Sequence, residues 1–257
     1  MSNHARACYA TALVLAAGIV AGCGGSAGAL SAPPAQPPSA SPSGPAPSGV
    51  PATAEPSSAS FTVAVRPFHE PGDFAHRNYC GSGATEVLLS AWISQLPDLE
   101  TVARRAHLDP RSGQTGADTT AGINSFLDPV VTPALGRSWY RPDHVAGIAA
   151  LETRLRADLG STEARRLFGH AVPVMVQTMT KTMPGWSGWQ ATHMITISAA
   201  DLGQGDPGLD TVTYAETPSP LAGYRGPDFQ TMTVAALWLA MQAFLADDPS
   251  DPVNVIW

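Results

Sequence analysis

The sequence predicts an α+β fold in which a helical N-terminal half packs on an antiparallel sheet. Between residues 81 and 159, apolar side chains recur every three or four positions, the spacing of helices that bury one face. Between residues 171 and 215, short apolar segments are bounded by glycine, which is typical of strands. A turn rich in Gly and Asp at residues 201–210 joins two of these segments. We therefore expect an antiparallel pair there.

The first elements of the domain lie between residues 61 and 106. A strand is predicted at residues 61–65, where apolar and small residues alternate, and a loop punctuated by Pro and Gly follows it. A buried helix is expected from residue 81 to about residue 94, because Pro97 stops it. Asp98 is a favoured N-cap residue, so a second helix should begin directly after it.

Two further helices complete the helical half. Thr119 or Thr120 precedes a third apolar periodicity and is a suitable N-cap for it. Residues 145–159 carry leucines in register along one side, which predicts an amphipathic fourth helix.

The second half is dominated by strand signals. Residues 171–179, 193–199 and 211–215 are short and apolar, with turn residues between them. A strongly apolar helix is expected at residues 231–245. This order of elements places the sheet after the helices in the chain.

The N-terminal residues predict export. A short basic start is followed by an apolar run at residues 10–20, too short to span a bilayer, which needs about 20 apolar residues. Residues 20–23, Val-Ala-Gly-Cys, resemble the lipobox of bacterial lipoproteins. Residues 1–22 are therefore expected to be a lipoprotein signal peptide, and Cys23 the acylated new N-terminus. The alternative is an ordinary secretory signal that leaves Cys23 free to pair.

A linker is predicted between Cys23 and the domain. Residues 24–59 are composed mainly of Pro, Ala, Ser and Gly, with Glu55 as the charged residue, and such a segment cannot bury a core. We expect a disordered tether that holds a domain of residues 60–257 outside the cytoplasm, anchored to the membrane of a bacterium through the N-terminal lipid. The rest of the chain is long enough for one domain with a substantial core.

Charge excludes one class of partner. The net charge is −7, and Lys181 is the single lysine among the basic residues, which form no cluster. Because nucleic-acid binding needs a basic surface that follows the phosphate backbone, we do not expect a nucleic-acid partner. We also expect neither a cofactor nor a metal.

Cys80 is the best candidate for a reactive group. Cys8 lies in the segment expected to be removed and Cys23 is expected to carry lipid, so Cys80 has no internal disulfide partner. It stands where a helix should begin, and a helix N-terminus lowers the pKa of a thiol and so favours the reactive thiolate. Gly81 and Gly83 leave room for a substrate backbone. A small buried structural cysteine at a helix start is the alternative.

A thiolate nucleophile needs a general base, and two histidines are candidates. His193 lies at the start of a predicted strand, a position typical of a sheet edge or cleft, and His170 also precedes a strand. Each has a structural alternative as a hydrogen-bonded residue. His76 is four residues before Cys80, but one thiol and one histidine fall short of a zinc site.

In these segments the chain resembles the peptidase C39-like group of papain-type cysteine peptidases. The nucleophile segment of that group is similar to Tyr79-Cys80-Gly81, and its His-aromatic-aliphatic strand is similar to residues 193–195. Its Gly-x-Pro strand is similar to residues 169–173, with two extra residues between. Its acidic residue, which stands shortly before a proline, is similar to Glu216.

The resemblance implies a papain-like cysteine peptidase fold and a hydrolase mechanism. Cys80 would be the nucleophile, His193 the general base and Glu216 the residue that orients His193. The oxyanion glutamine of the group has no counterpart, because position 74 is Phe74 and residues 70–79 contain no Gln; Asn78 is the nearest amide. The implied substrate is a peptide or a peptidoglycan-linked amide.

Two other functions remain open from the sequence. A catalytically silent module would bind a peptide or wall component in the same cleft, as the missing glutamine suggests. An acyltransferase would keep the Cys-His pair and pass the acyl group to an amine.

Overall fold

The computed structural model of the protein describes residues 60–188 and 190–257. The predicted signal peptide, Cys23 and the linker lie outside the described residues, as does Trp189. The helices are α1 (Cys80–Leu89), α2 (Leu99–Arg105), α3 (Gly116–Leu135), α4 (Ile148–Leu159), α5 (Thr162–Phe168) and α6 (Val234–Asp247). The strands are β1 (Ser60–Thr62), β2 (Pro142–Asp143), β3 (Val174–Met179), β4 (Thr192–Asp201), β5 (Thr211–Ala215), β6 (Phe229–Thr233) and β7 (Val255–Ile256).

The strands form one sheet in the order β2-β7-β3-β4-β5-β6, and β1 pairs with β4. Every strand pair is antiparallel, which confirms the α+β class and the β4–β5 pair predicted from the sequence. In the β3–β4 pair, His193 lies opposite Thr178. The register between β4 and β5 shifts between Ile197 and Ala199, where the regular ladder is interrupted.

Helices cover both faces of the sheet. Alternate residues of β3 face opposite sides, so Val174 and Val176 pack in one cluster and Met175 in another. The first cluster includes the leucines of α4 and the apolar residues of α6, and the second includes those of α1 and α3. The sheet therefore lies between α1 and α3 on one side and α4 and α6 on the other.

Helix α1 packs closely on the sheet, and this contact sets the position of its first residue. The Thr196 hydroxyl of β4 donates to the carbonyl oxygen of Ala84, at 2.7 Å. A Cβ added to Gly81 would lie 2.8 Å from the Gln114 side chain, so glycine permits the close approach of the loop before α3. The N-terminal end of α1 is thereby held beside the start of β4.

Some predicted helix boundaries are confirmed and others are wrong. Asp98 caps α2 and accepts from the Thr101 N–H at 2.8 Å, as predicted. Thr119 or Thr120 was expected to precede α3, but Thr115 is the cap. Both threonines lie inside the helix, where their hydroxyls donate to carbonyl oxygens one turn earlier, at 2.7 and 2.8 Å, and so do not cap it.

Three other boundaries also differ. Helix α1 ends at Leu89 rather than at residue 94, because the N–H groups of residues 90–92 bond three residues back and tighten the chain. The segment expected to be helical from residue 231 begins as strand β6, which pairs with β5, and α6 starts only at Val234. The strand predicted from residue 171 starts at Val174, after Pro173.

Candidate active site

The candidate nucleophile, Cys80, is the first residue of α1 and is half-buried. The cap residue Tyr79 makes no side-chain cap bond, and the N–H of Gly83 is the first to bond within the helix, to the Tyr79 carbonyl oxygen at 2.8 Å. The N–H groups of the first turn therefore point beyond the helix end, as at every helix start. Their partial positive charge favours a thiolate and an oxyanion at this position.

The candidate base, His193, is the second residue of β4 and is 5% exposed. Its Nε2 lies 2.9 Å from Oε2 of Glu216. The ring and the Cys80 thiol line the same cleft, and each group shifts the pKa of the other. The structure thus brings together the three residues that the sequence singled out, with His193 between the other two.

Glu216 is completely buried and follows β5 directly. Its backbone N–H donates to the Asp228 carbonyl oxygen at 2.8 Å, which fixes its backbone. Its second oxygen, Oε1, accepts from Nε1 of Trp186 at 2.9 Å. The Trp186 ring also packs edge-on against His193, with 5.0 Å between ring centroids. Both carboxylate oxygens therefore have a good donor.

Trp186 has a role that the sequence did not predict. It lies in the loop between β3 and β4 and lines the cleft. The bond to Glu216 depends on the fold of the loop between β3 and β4, which local sequence patterns do not specify. Trp186 shields the His193–Glu216 pair from water and holds the carboxylate in place.

The electrostatics favour an ionised thiol and imidazole. Burial by itself would raise the pKa of the Cys80 thiol, but the hydrogen bond and charge of His193 and the N–H groups of Met194 and Gly81 lower that pKa below its ordinary value. Burial would likewise lower the pKa of His193, but the Glu216 carboxylate and the Cys80 thiolate raise it. The two shifts together stabilise a thiolate–imidazolium pair.

The cleft above Cys80 has a volume of about 300 Å³. Its floor carries Cys80 and His193, and the exposed apolar side chains of Phe74 and Leu221 lie at its rim. A cavity of this size with apolar walls and a few polar groups is typical of sites for small ligands or peptide side chains.

Three amides line this cleft, and each already donates to the protein. Asn78 Nδ2 bonds the Pro110 carbonyl oxygen at 2.9 Å. Gln114 Nε2 bonds the Thr119 hydroxyl at 2.7 Å, and its oxygen accepts from Ser82. The third amide, Gln177, donates at 2.7–2.9 Å to groups on the segment before β7. Gln114 and Gln177 were not predicted as cleft residues, because only the tertiary fold brings them there.

The other candidate histidines do not meet Cys80. His170 Nδ1 bonds the Ala171 carbonyl oxygen, and its ring packs on Trp92. His76 bonds two carboxylates, Asp73 and Glu100, at 2.7 Å each. His170 is therefore not the base in this structure.

Within residues 60–188 and 190–257, no group of three or more metal-binding side chains is found. None of the helices in this same part of the chain combines the length and apolar character of a membrane span. A scan against models of protein families found no match to this chain, and a search of curated proteins found no significant similarity.

Proposed function

We propose that this protein is an exported, lipid-anchored cysteine peptidase-like enzyme of papain-type fold that cleaves peptide or other amide bonds. The observation that carries the proposal is the buried His193, which bonds Glu216 at 2.9 Å and shares one cleft with the Cys80 thiol, whose pKa it lowers. A nucleophile, a base and a residue that orients the base form the arrangement used in acyl transfer.

The proposed reaction has two stages. The Cys80 thiolate attacks the amide carbonyl carbon, the electron pair of the C=O bond moves to oxygen, and the N–H of Cys80 donates to that oxygen. The intermediate collapses to a thioester as His193 gives its proton to the departing amine. Water then attacks the thioester, His193 takes the proton of that water, and a carboxylic acid leaves as the thiolate is restored. Glu216 holds the imidazole in position throughout.

The test is the pH dependence of iodoacetamide alkylation, followed on the Cys80 peptide by mass spectrometry. An activated thiol should have an apparent pKa well below about 8.5, the ordinary value. His193→Ala should raise that pKa and slow the reaction at pH 6, because a smaller fraction of the thiol is then ionised. His170→Ala is the matched control. An ordinary pKa in the unsubstituted protein would contradict the proposal.

The second candidate is a silent module that binds a peptide or a wall component. It is favoured by position 74, where Phe74 stands in place of the oxyanion glutamine of the C39-like group. A ligand captured from peptidoglycan digests by Cys80→Ala as strongly as by the unsubstituted protein would favour this candidate. An aminated product formed in the presence of added amine would instead identify an acyltransferase.

Anchoring through Cys23 is the third part of the proposal. In a bacterium that processes lipoproteins, Cys23→Ala should lose incorporation of labelled palmitate and leave the membrane fraction, since several acyl chains are needed for stable binding. Cys80→Ala is the control and should stay anchored. A Cys23→Ala protein that still incorporates palmitate would exclude this attachment site.

A further inference from the structure

A second carboxyl lies beside the candidate nucleophile. Glu70 is 5% exposed and lines the same cleft as Cys80 and His193. Its Cγ lies 3.4 Å from the point that a Cβ on Gly83 would occupy. Residues three apart share one face of a helix, so Glu70 packs on the face of α1 that begins with Cys80.

Glu70 has far fewer partners than Glu216. The Thr217 hydroxyl lies 3.4 Å from Oε1 of Glu70, a long hydrogen bond, and no side chain of the described residues bonds Oε2. The described residues also contain no ion pair that involves Glu70. A buried carboxylate without a cation or strong donors is costly, whereas the protonated acid is neutral and carries one O–H donor.

The groups that face Glu70 favour its protonated form. Burial is the main reason that the pKa of Glu70 lies well above its ordinary value, and the nearby Cys80 thiolate on α1 raises it further. Glu216, after β5, acts in the same direction, while His193 on β4 and the Thr217 hydroxyl oppose the shift. The opposing groups are outweighed.

We propose that Glu70, as a neutral carboxylic acid, donates a hydrogen bond to the oxygen of the carbonyl group that Cys80 attacks. The inference rests on the function proposed above and names a further catalytic residue for it. When the Cys80 sulfur bonds to carbon and the C=O electron pair moves to oxygen, that oxygen accepts from the Cys80 N–H and from the Glu70 O–H. Glu70 keeps its proton. Burial can hold a carboxylic acid neutral for this purpose.

This role accounts for two features of the cleft. Hydrogen bonds to the protein fix the orientation of all three cleft amides, and both N–H groups of Gln177 are used in this way. Glu70 differs from them because its Oε2 has no described partner. The same length of side chain in Gln would supply a permanent N–H donor, which makes Glu70→Gln the informative substitution.

The test compares two reactions of Cys80 in the full-length protein. Acylation by p-nitrophenyl acetate passes through a tetrahedral oxyanion, whereas alkylation by iodoacetamide does not. Their rate ratio therefore isolates stabilisation of the oxyanion from thiolate formation. Glu70→Ala should lower the ratio by about ten- to a hundredfold, the typical effect of losing one oxyanion donor.

The pH profile separates this role from a structural one. In the unsubstituted protein the ratio should fall as pH rises and Glu70 loses its proton. Glu70→Gln should show no such fall, because its amide does not titrate. Glu86→Gln is the matched control, since Glu86 is a buried carboxyl on α1 that does not line the cleft, and this variant should keep the pH-dependent fall.

Three results would overturn the inference. One is a rate ratio that is independent of pH in the unsubstituted protein. Another is a rate ratio in Glu70→Ala that equals the ratio in the unsubstituted protein. If Glu70→Ala does not fold, a pH-dependent fall that persists in Glu70→Gln is decisive against it. Failure of the proposed function has a different signature, an ordinary thiol pKa in the alkylation reaction alone, and it removes both proposals.

Discussion

Two carboxyls flank His193, and they differ in their partners rather than in their depth. Glu216 is fully buried and Glu70 nearly so. Glu216 accepts two hydrogen bonds of 2.9 Å, from Trp186 and from His193, whereas Glu70 has one hydrogen bond of 3.4 Å. Burial, which only a weak donor offsets, raises the pKa of Glu70 well above its ordinary value. The sheet side of the cleft therefore holds a carboxyl with two strong donors, and the helix side holds a neutral acid beside the nucleophile.

The largest expected effect comes from removing the nucleophile, Cys80, on the helix side of the cleft. Cys80→Ala should lower acylation by p-nitrophenyl acetate by at least about a thousandfold, because no other described side chain of the cleft is a comparable nucleophile. The measurement is the release of p-nitrophenolate at pH 7, with His170→Ala as the control that should retain the reaction. Release at the original rate from Cys80→Ala would show that another group reacts.

Replacing Glu216 on the sheet side of the cleft should mainly affect the stability of the protein. Glu216→Gln removes the buried charge that faces His193, and we expect the free energy of unfolding to fall by about 3–5 kcal/mol, the usual cost of breaking a buried pair. Because the pKa of His193 is raised in the folded state, this loss should be largest below about pH 6.5 and shrink as pH rises through the raised pKa. Urea denaturation at pH 6 and pH 9 measures it. Equal losses at both pH values would contradict the pairing.

A buried carboxyl outside the cleft tests the effect of burial alone. Burial raises the pKa of Glu86 to about 7, with Asp98 adding to the shift and Arg66 opposing it, and its Oε1 has no hydrogen-bond partner. A raised carboxyl pKa destabilises the fold as pH rises from about 4 to about 7. Glu86→Gln should therefore be more stable than the unsubstituted protein at pH 8, by up to about 3 kcal/mol, and no more stable at pH 4.

The comparison for Glu86 is a solvent-exposed carboxyl. Glu163 is exposed in the first turn of α5, so Glu163→Gln should show no such rise with pH. Thermal denaturation of the three proteins across pH 4 to 8 provides the measurement. A Glu86→Gln protein without the pH-dependent gain would mean that Glu86 is solvated when ionised.

The smallest effect should come from removing one donor to Glu216. Trp186→Phe keeps an aromatic ring beside His193 but loses the N–H, and we expect the free energy of unfolding to fall by about 1–2 kcal/mol. The apparent pKa of Cys80 should also rise slightly. Trp92→Phe, which removes a bond to the Tyr140 hydroxyl away from the cleft, is the matched control for the stability loss. An equal change of the Cys80 thiol pKa in both variants would show that Trp186 has no specific effect on the site.

Local chemistry explains which parts of the fold were predictable. Asp98 caps α2 as expected, and β5 has the predicted bounds, because a side-chain cap and a short apolar run between turns act over a few residues. The helix was expected to start at residue 231, but residues 229–233 pair with β5, and this long-range pairing makes them a strand. Helix α5 and the short strands β2 and β7 were missed because each has too few residues to show a clear periodicity.

Some residues of the candidate site were likewise predictable from the local sequence, and others were not. Cys80 was predictable because a thiol at a helix start beside two glycines is a local pattern, and His193 because it opens an apolar strand. Glu216 came from the resemblance to the C39-like group, and its contact with His193 needs the β4–β5 pair. Trp186 as a partner of Glu216 had no local signal.

The sequence by itself determined the α+β class, the Asp98 cap, several strands, and the residues Cys80 and His193 as candidates, since these depend on neighbours in the chain. The tertiary structure alone decided which carboxyl is paired and which is not. Glu70 is 147 positions from Thr217, the residue that bonds it, and Glu216 is 30 positions from Trp186. Desolvation and hydrogen bonding depend on the groups that distant segments bring together, so the charge of a buried acid follows from the fold.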